Sequence, residues 1–347
     1  MWYRWIIISA AALFLLVGCN KEEAVEPEQP EEEIVEEEET PPPAQEEYPY
    51  QFPLTGMGSN EITDGRAVAV MVNNHPLARP QSGLNQADIV YEVLAEGNVT
   101  RFLAIFQSEE PNNIGPVRSA REYYIELATG YDSLFVAHGY SPDAEKMLKR
   151  GVIDNINGMQ YDGSLFKRAD FRKAPHNSYI SFNNIVKGAE KNNYKMDQAP
   201  DSLVFLSEEE IEALAGEKAT SIEVAYYDST FDSKLEYDED LKKYKRYSAG
   251  ELTVDYQSND PVLIDNLFVI ETPHKVIDNA GRRDIDLVSG GNGYLFQRGK
   301  ILSVQWKNVE GRILPYLNGE VVGLVPGKTW INIVPSKQGL DQSVTFE

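Results

Sequence analysis

One cysteine stands in the 347 residues, Cys19, and that fact constrains the fold more than any other feature of the sequence. No disulfide can close within the chain and no Cys-based zinc site can be built, so the hydrophobic core alone must hold the folded part. The position of the cysteine is equally informative. Arg4 precedes an apolar run from Trp5 to Val17, which closes with Leu16-Val17-Gly18-Cys19. The run is too short to span a bilayer as a mature helix. A basic start, an apolar middle and a small residue before Cys read as an export signal, residues 1–19, ending in a lipobox. A diacylglycerol thioether is expected on Cys19, with palmitate-type acyl chains. The membrane is then the first expected partner, and the folded part belongs on the outer face of the cytoplasmic membrane.

Residues 20–50 read as a disordered acidic tether. Between Lys21 and Tyr50 there are 13 Glu against one Lys, which accounts for -12 of the formal net charge of -23. Such a segment buries too little apolar surface to offset its ordering entropy, and Glu repulsion with Pro41-Pro42-Pro43 extends it. The chain from Gln51 onward carries the remaining acidity, also -12 once Arg4 is counted. An acidic folded part argues against nucleic acid as a partner, for which a basic face is expected.

The fold class expected is α/β, in two domains. Residues 51–206 should form a mixed sheet covered by helices. Arg66–Val72, Ala87–Ala95 and Val99–Gln107 read as strands, followed by a helix over Ser119–Tyr131, a strand over Ser133–Ala137, and a helix opened by Ser141-Pro142-Asp143. A strand at Asn177–Phe182, a helix at Asn183–Asn192 and a strand at Ser202–Leu206 complete that half. Residues 207–347 should be mostly β. They open on a Ser207/Glu210 capping box and carry Arg298-Gly299 and Asn318-Gly319 as hairpin turns.

The most informative stretch is Ile114-Gly-Pro-Val-Arg118-Ser-Ala-Arg121-Glu122. Ser119 and Glu122 have capping-box spacing, which would put Arg118 just before a helix and Arg121 in its first turn. A helix N-terminus is already positive, so two Arg there break the local rule. Arg, helix dipole and free amides together suit a phosphate or a carboxylate. The ordinary alternative is that both Arg pair with nearby acids. A second cluster precedes it: Asn74, His75, Arg79, and Glu92 inside an apolar strand. A buried carboxylate needs a partner, and Arg101 on the next strand is the expected one; otherwise Glu92 or Glu96 would be a base or would position the Arg residues. His138 follows a strand and leads into a helix, a usual ligand-facing place in α/β sheets. The candidate binding residues are therefore Arg79, Arg101, Arg118, Ser119, Arg121, His138, Asn74, His75 and Glu92, with Cys19 the lipidation site. No His pair has metal-ligand spacing, so neither metal nor cofactor is expected.

Four segments carry a family resemblance: Ala78-Arg-Pro-Gln-Ser-Gly-Leu84, Ala87-Asp-Ile-Val-Tyr-Glu92, Val99-Thr-Arg-Phe-Leu-Ala-Ile-Phe106 and Ile114-Gly-Pro-Val-Arg-Ser-Ala-Arg121. With Gly291-Asn-Gly293 and Pro326-Gly-Lys-Thr-Trp330 they resemble the YerB-type lipoproteins over nearly all the folded chain. The resemblance implies an extracytoplasmic protein with two consecutive α/β domains in Bacillus-like bacteria, and it implies no activity. A fainter similarity of style, in Asp88 and the Arg118/Arg121 loop, is to the LytR-CpsA-Psr enzymes, which hold a polyprenyl pyrophosphate.

Three readings follow. The protein binds an anionic envelope ligand or partner, such as an envelope protein or wall polymer, through Arg79, Arg118, Arg121 and their neighbours. Alternatively it is an enzyme on a cell-wall or lipid-linked phosphate, with Glu92, Glu96 or His138 as base. Or it is a scaffold whose charges pair internally. The first is preferred, because no nucleophile–base pair is legible.

Overall fold

The computed structural model describes residues 48–347. The expected export signal, the lipidation site Cys19 and nearly all of the acidic tether lie outside them. After a short hairpin of Tyr50–Gln51 and Gly58–Ser59, the first three strands of the main sheet are the largely apolar runs Val68–Asn73 (β1), Ile89–Leu94 (β2) and Thr100–Phe106 (β3), in which every residue is buried. Strands that are apolar on both sides must be covered on both sides. Val68, Val70 and Val72 accordingly join one core cluster, and Ala69 and Met71 join another on the opposite face. Leu134–Ala137 (β4) and Asn155–Asn157 (β5) extend the sheet beside β1 in parallel.

The second half supplies Ser221–Val224 (β6), Ser233–Asp238 (β7), Lys243–Ser248 (β8), Asn266–Thr272 (β9), Gly291–Gln297 (β10), Lys300–Val309 (β11), Arg312–Leu317 (β12), Thr329–Pro335 (β13) and Val344–Phe346 (β14). The molecule is mostly strand, dominated by one large mixed sheet. From the short edge strand Glu320–Val321 its order is β12-β11-β10-β9-β13-β2-β3-β1-β4-β5. β13 lies parallel to both β9 and β2, pairing Thr329 with Ile89 and Asn332 with Glu92. Strands from both halves thus share one hydrogen-bonded sheet. A second sheet, built on β8-β7-β6-β14, packs Ile222, Val224, Leu235 and Tyr244 into the core cluster that holds Val68, Val70 and Val72.

Three helices matter for the site: Glu122–Thr129 (α1), Pro142–Lys149 (α2) and Phe182–Asn192 (α3). Tyr124, Ile125, Leu127 and Ala128 of α1 join the Ala69/Met71 cluster; Phe182, Ile185 and Ala189 of α3 join the other. Ser141 caps α2 by accepting from the Ala144 N–H, with Pro142 at the first turn. The Ser207/Glu210 capping box forms as its spacing predicts. Both central residues of the Arg298-Gly299 and Asn318-Gly319 hairpins have positive φ.

The structure corrects the sequence reading at several places. The Ser119/Glu122 capping box does not form: α1 starts at Glu122, and its cap residue, Arg121, makes no side-chain capping bond. The backbone before it is held extended between strands instead. The Arg118 N–H donates to Met71 O, and the His138 N–H donates to Arg118 O. The Ser119 hydroxyl therefore turns to His138 O, and Glu122 accepts from Ser141. Ser202–Leu206 makes only an isolated bridge, Phe205 to Leu324. β7 is a strand that the reading did not anticipate, because Ser-Lys-Leu-Glu-Tyr-Asp is mostly charged and polar and buries only one face.

Candidate functional site

The C-terminal ends of the parallel neighbours β1 and β4 are where this sheet presents side chains beyond its core, as α/β sheets commonly do. β1 runs out into Asn73-Asn74-His75 and β4 into His138-Gly139. Residues 117–120 cross between them, bridging Val72 to Val117 and Ala120 to Tyr140. A hairpin formed by Lys167–Arg168 and Ser178–Tyr179 closes the side, and its loop carries His176. Gly139 lies at φ +96, with the Ser119 hydroxyl 2.7 Å from where a Cβ would stand, so only glycine fits there.

The structure divides the sequence candidates by whether their charge is already matched. Arg101 and Arg121 are matched. Glu96 takes Arg101 through Oε2 at 2.6 Å and Arg121 through Oε1. Arg101 also donates to Ser119 O at 2.9 Å and Arg121 to Ala120 O. Arg101 and Arg121 are both buried, 4% and 7% exposed.

The expected Glu92–Arg101 pair is not formed, for a reason of register. Glu92 stands opposite Phe102, and Arg101 opposite Val93, so the two side chains leave opposite faces of the sheet. Glu92 meets Arg246 of β8 instead, at 2.9 Å, both almost wholly buried. The Glu92 carboxylate also accepts from Asn74 and Thr100 at 3.1 Å each, from the Trp330 indole at 3.3 Å and from Asn332 at 3.4 Å. Arg246 donates to Thr253 and lies over the Phe102 and Trp330 rings, 5.3 and 4.7 Å from their centroids. Arg79 borders this cluster. It donates to Asn74 O, to Asn74 Oδ1 and to Thr230 O, and burial with the nearby Arg246 pushes its pKa down to about 10. Glu92 and Asn74 are therefore polar core, saturated with hydrogen bonds.

Arg118 is different. Among the described residues it has no carboxylate partner; its one side-chain hydrogen bond runs from Nη1 to Pro175 O at 3.3 Å. Its Nε is buried without a partner. Burial, then Arg101, pushes its pKa down to about 10. Of its other two nitrogens, Nε is enclosed and Nη2 makes no hydrogen bond, so Nη2 is the donor left for a ligand oxygen.

Three imidazoles surround it, and donors occupy the lone pair of each. His75 Nδ1 accepts from the Leu77 N–H at 3.2 Å. The Asn73 amide is oriented by the His75 N–H, which donates to Asn73 Oδ1, so Asn73 Nδ2 donates to His176 Nδ1 at 2.8 Å. His138 Nε2 faces Arg168 Nη2 at 3.0 Å, and a guanidinium can only donate. His138 Nδ1 must then carry its proton and donate to the Ser178 hydroxyl at 2.7 Å. This is the reverse of what activating that hydroxyl requires, and Ser178 is only 1% exposed. The His75 and His176 rings lie against each other, centroids 4.5 Å apart, each left with its Nε2–H. Burial is the largest cause holding all three pKa values below the usual imidazole value. Arg118 contributes at each, Arg79 at His75, the His75 ring and Arg172 at His176, and Arg168 at His138. Among the described residues no three His, Cys, Asp or Glu are placed to hold a metal ion.

A family model described as the N-terminal domain of a protein of unknown function (DUF3048) matches residues 54–195, and the model of the corresponding C-terminal domain matches residues 222–331. The chain is 47% identical, over 337 residues and 96% of both chains, to the Bacillus subtilis (strain 168) protein named "Putative lipoprotein YerB". The chain belongs to this family. A crystal structure of the YerB protein from Bacillus subtilis matches with a TM-score of 0.78 and 48% identity, over 85% of this chain and 99% of that one. As a family member the chain is a lipoprotein. Among the described residues no helix is long and apolar enough to cross a membrane.

The two family regions meet at the saturated cluster, since Glu92 and Trp330, one from each region, are hydrogen-bonded there. Asp88, the basis of the fainter resemblance, lies at the far end of β2. It binds the Gln107 and Ser108 N–H groups and is not part of the Arg118 site. His176, Asn73, Arg168 and Arg246 were not among the sequence candidates. His176 had a turn-like setting as its only signal, and Arg246 had none, because the strand that carries it is otherwise polar.

Proposed function

We propose that this lipoprotein is a binding protein of the cell envelope, held by lipid on Cys19 at the outer face of the cytoplasmic membrane, that takes an anionic ligand or partner at Arg118. One observation carries the reading: among the described residues the Arg118 guanidinium has no carboxylate partner and a single hydrogen bond, to Pro175 O, while its neighbours Arg101 and Arg121 are matched to Glu96. His75 and His176 add N–H donors beside it. Arg101, Arg121, Glu92 and Asn74 support the site as framework, Ser119 holds the turn at His138, and Arg79 flanks His75.

The enzymatic alternative has less support. Each base it would use is already engaged: Glu92 by five donors, Glu96 by two guanidinium groups, and His138 by Arg168. The test is thermal stability of the mature lipidated chain in detergent, titrated with inorganic phosphate. A ligand at a hundred times its dissociation constant stabilises by about 2.7 kcal/mol, and Arg118→Gln should abolish the shift. A chain whose melting does not respond, or a variant that responds like the parent, would sink the proposal.

A further inference from the structure

The geometry points to a tetrahedral dianion of the phosphate class, carrying no hydrogen of its own, as the group recognised at Arg118, His75 and His176; this inference rests on the reading of that site as anion-binding. The donors come from three separate segments. The guanidinium comes from residues 117–120, His75 from the turn after β1, and His176 from the hairpin loop; the two rings are in contact, and Arg118 is close enough to act on both. Separate donor groups on three segments suit a tetrahedral oxyanion better than a planar carboxylate, which one fork-shaped partner can satisfy.

The imidazoles act as fixed neutral donors. A further proton on His75 or His176 would have to go to Nδ1, and Nδ1 already accepts from the Leu77 N–H or from the Asn73 amide. Protonation would set donor against donor and break that bond. The charged groups that act on these two rings are Arg118 from the crossing segment, Arg79 from the turn and Arg172 from the hairpin, all cations. On the hairpin, Arg172 donates to Ala78 O, Pro80 O and the Tyr179 hydroxyl. None of these charged groups offers an acceptor, so a ligand oxygen that keeps its hydrogen meets only donors among them.

A consequence distinguishes this arrangement from a histidine switch. Cationic histidines would make any anion bind more tightly as pH falls. Locked neutral donors leave only the ligand to titrate. A phosphate monoester, whose second ionisation lies near pH 6, should bind about tenfold more weakly at pH 5 than at pH 8, because only about a tenth of it is then the dianion. Sulfate, a dianion throughout, should bind equally across that range.

The experiment is calorimetric titration of the mature lipidated chain in detergent with glycerol 1-phosphate, sulfate and acetate at pH 5, 6.5 and 8. Histidine tautomers are read in parallel by long-range nitrogen–proton NMR. The expected result is phosphate-ester binding that strengthens with pH, flat sulfate binding, and acetate at least tenfold weaker than either. The rings of His75 and His176 should carry hydrogen on Nε2 and that of His138 on Nδ1. His176→Gln should weaken both tetrahedral anions about tenfold. Binding of sulfate and ester alike that tightens toward pH 5, acetate equal to sulfate, or His75 and His176 carrying hydrogen on Nδ1 would each overturn the inference while leaving an anion site intact. No response to any anion would overturn the site itself.

Discussion

Two polar clusters lie near one end of the large sheet, and they are built to opposite rules. Around Glu92 every charge has its counterpart: Arg246 faces it, four further groups donate to it, and both ionic partners are almost wholly buried. Around Arg118 no described carboxylate faces the guanidinium, whose single hydrogen bond runs to Pro175 O. A charge enclosed in protein must be matched, because the energy of leaving it bare is large. A half-exposed cation can remain unmatched, since water screens it until something else arrives. The contrast teaches how to separate framework from function among residues of the same type: Arg101, Arg121 and Arg246 hold the protein together, whereas Arg118 is available.

The sharpest way to break that contrast is to remove one member of the enclosed pair. Arg246→Ala leaves Glu92 buried without its cation, and stability measured by urea unfolding should fall by about 3–5 kcal/mol. A loss below about 1 kcal/mol would mean that the enclosed cluster is not framework. Glu96→Gln is the next largest. It leaves Arg101 and Arg121 without their carboxylate and should cost about 2 kcal/mol in the same assay. Arg118→Gln marks the other side of the comparison. With no carboxylate to orphan, it should change stability without ligand by no more than about 0.5 kcal/mol. A destabilisation like that of Arg246→Ala would put Arg118 among the framework residues.

The smallest effect is on pH. The pKa values of His75 and His176 are lowered in the folded protein, chiefly by burial and then by neighbouring charges. The unfolded chain therefore binds more protons as pH drops below the usual imidazole value of 6.5, and the folded state loses stability there. Unfolding midpoints followed from pH 7.5 down to 5 should show a decline that is shallower in the His75→Gln/His176→Gln double variant. Equal slopes would show that these rings do not titrate as described.

Much of the framework was readable from local pattern. The apolar runs of β1, β2 and β3, the Ser141-Pro142 helix start, the Ser207/Glu210 box and the two hairpin turns all appear where their residues put them. The pairing of charges was not readable. Glu92 needed a partner, and the nearest strand offered Arg101, but alternation of side chains across a sheet sends those two to opposite faces. The partner found, Arg246, lies 154 positions away.

The start of α1 shows the same limit. Ser119 and Glu122 have the spacing of a cap, yet the bonds from the Arg118 N–H to Met71 O and from the His138 N–H to Arg118 O keep that backbone extended. Local chemistry by itself determined where the buried strands, the two hairpin turns and the Ser-capped helices begin, and it put the single cysteine behind an apolar leader. Only the tertiary structure decided which cations are matched, because an ion pair is a contact in space. Which side chains meet depends on strand order and register, and β13 from the far end of the chain enters beside β2 to set both.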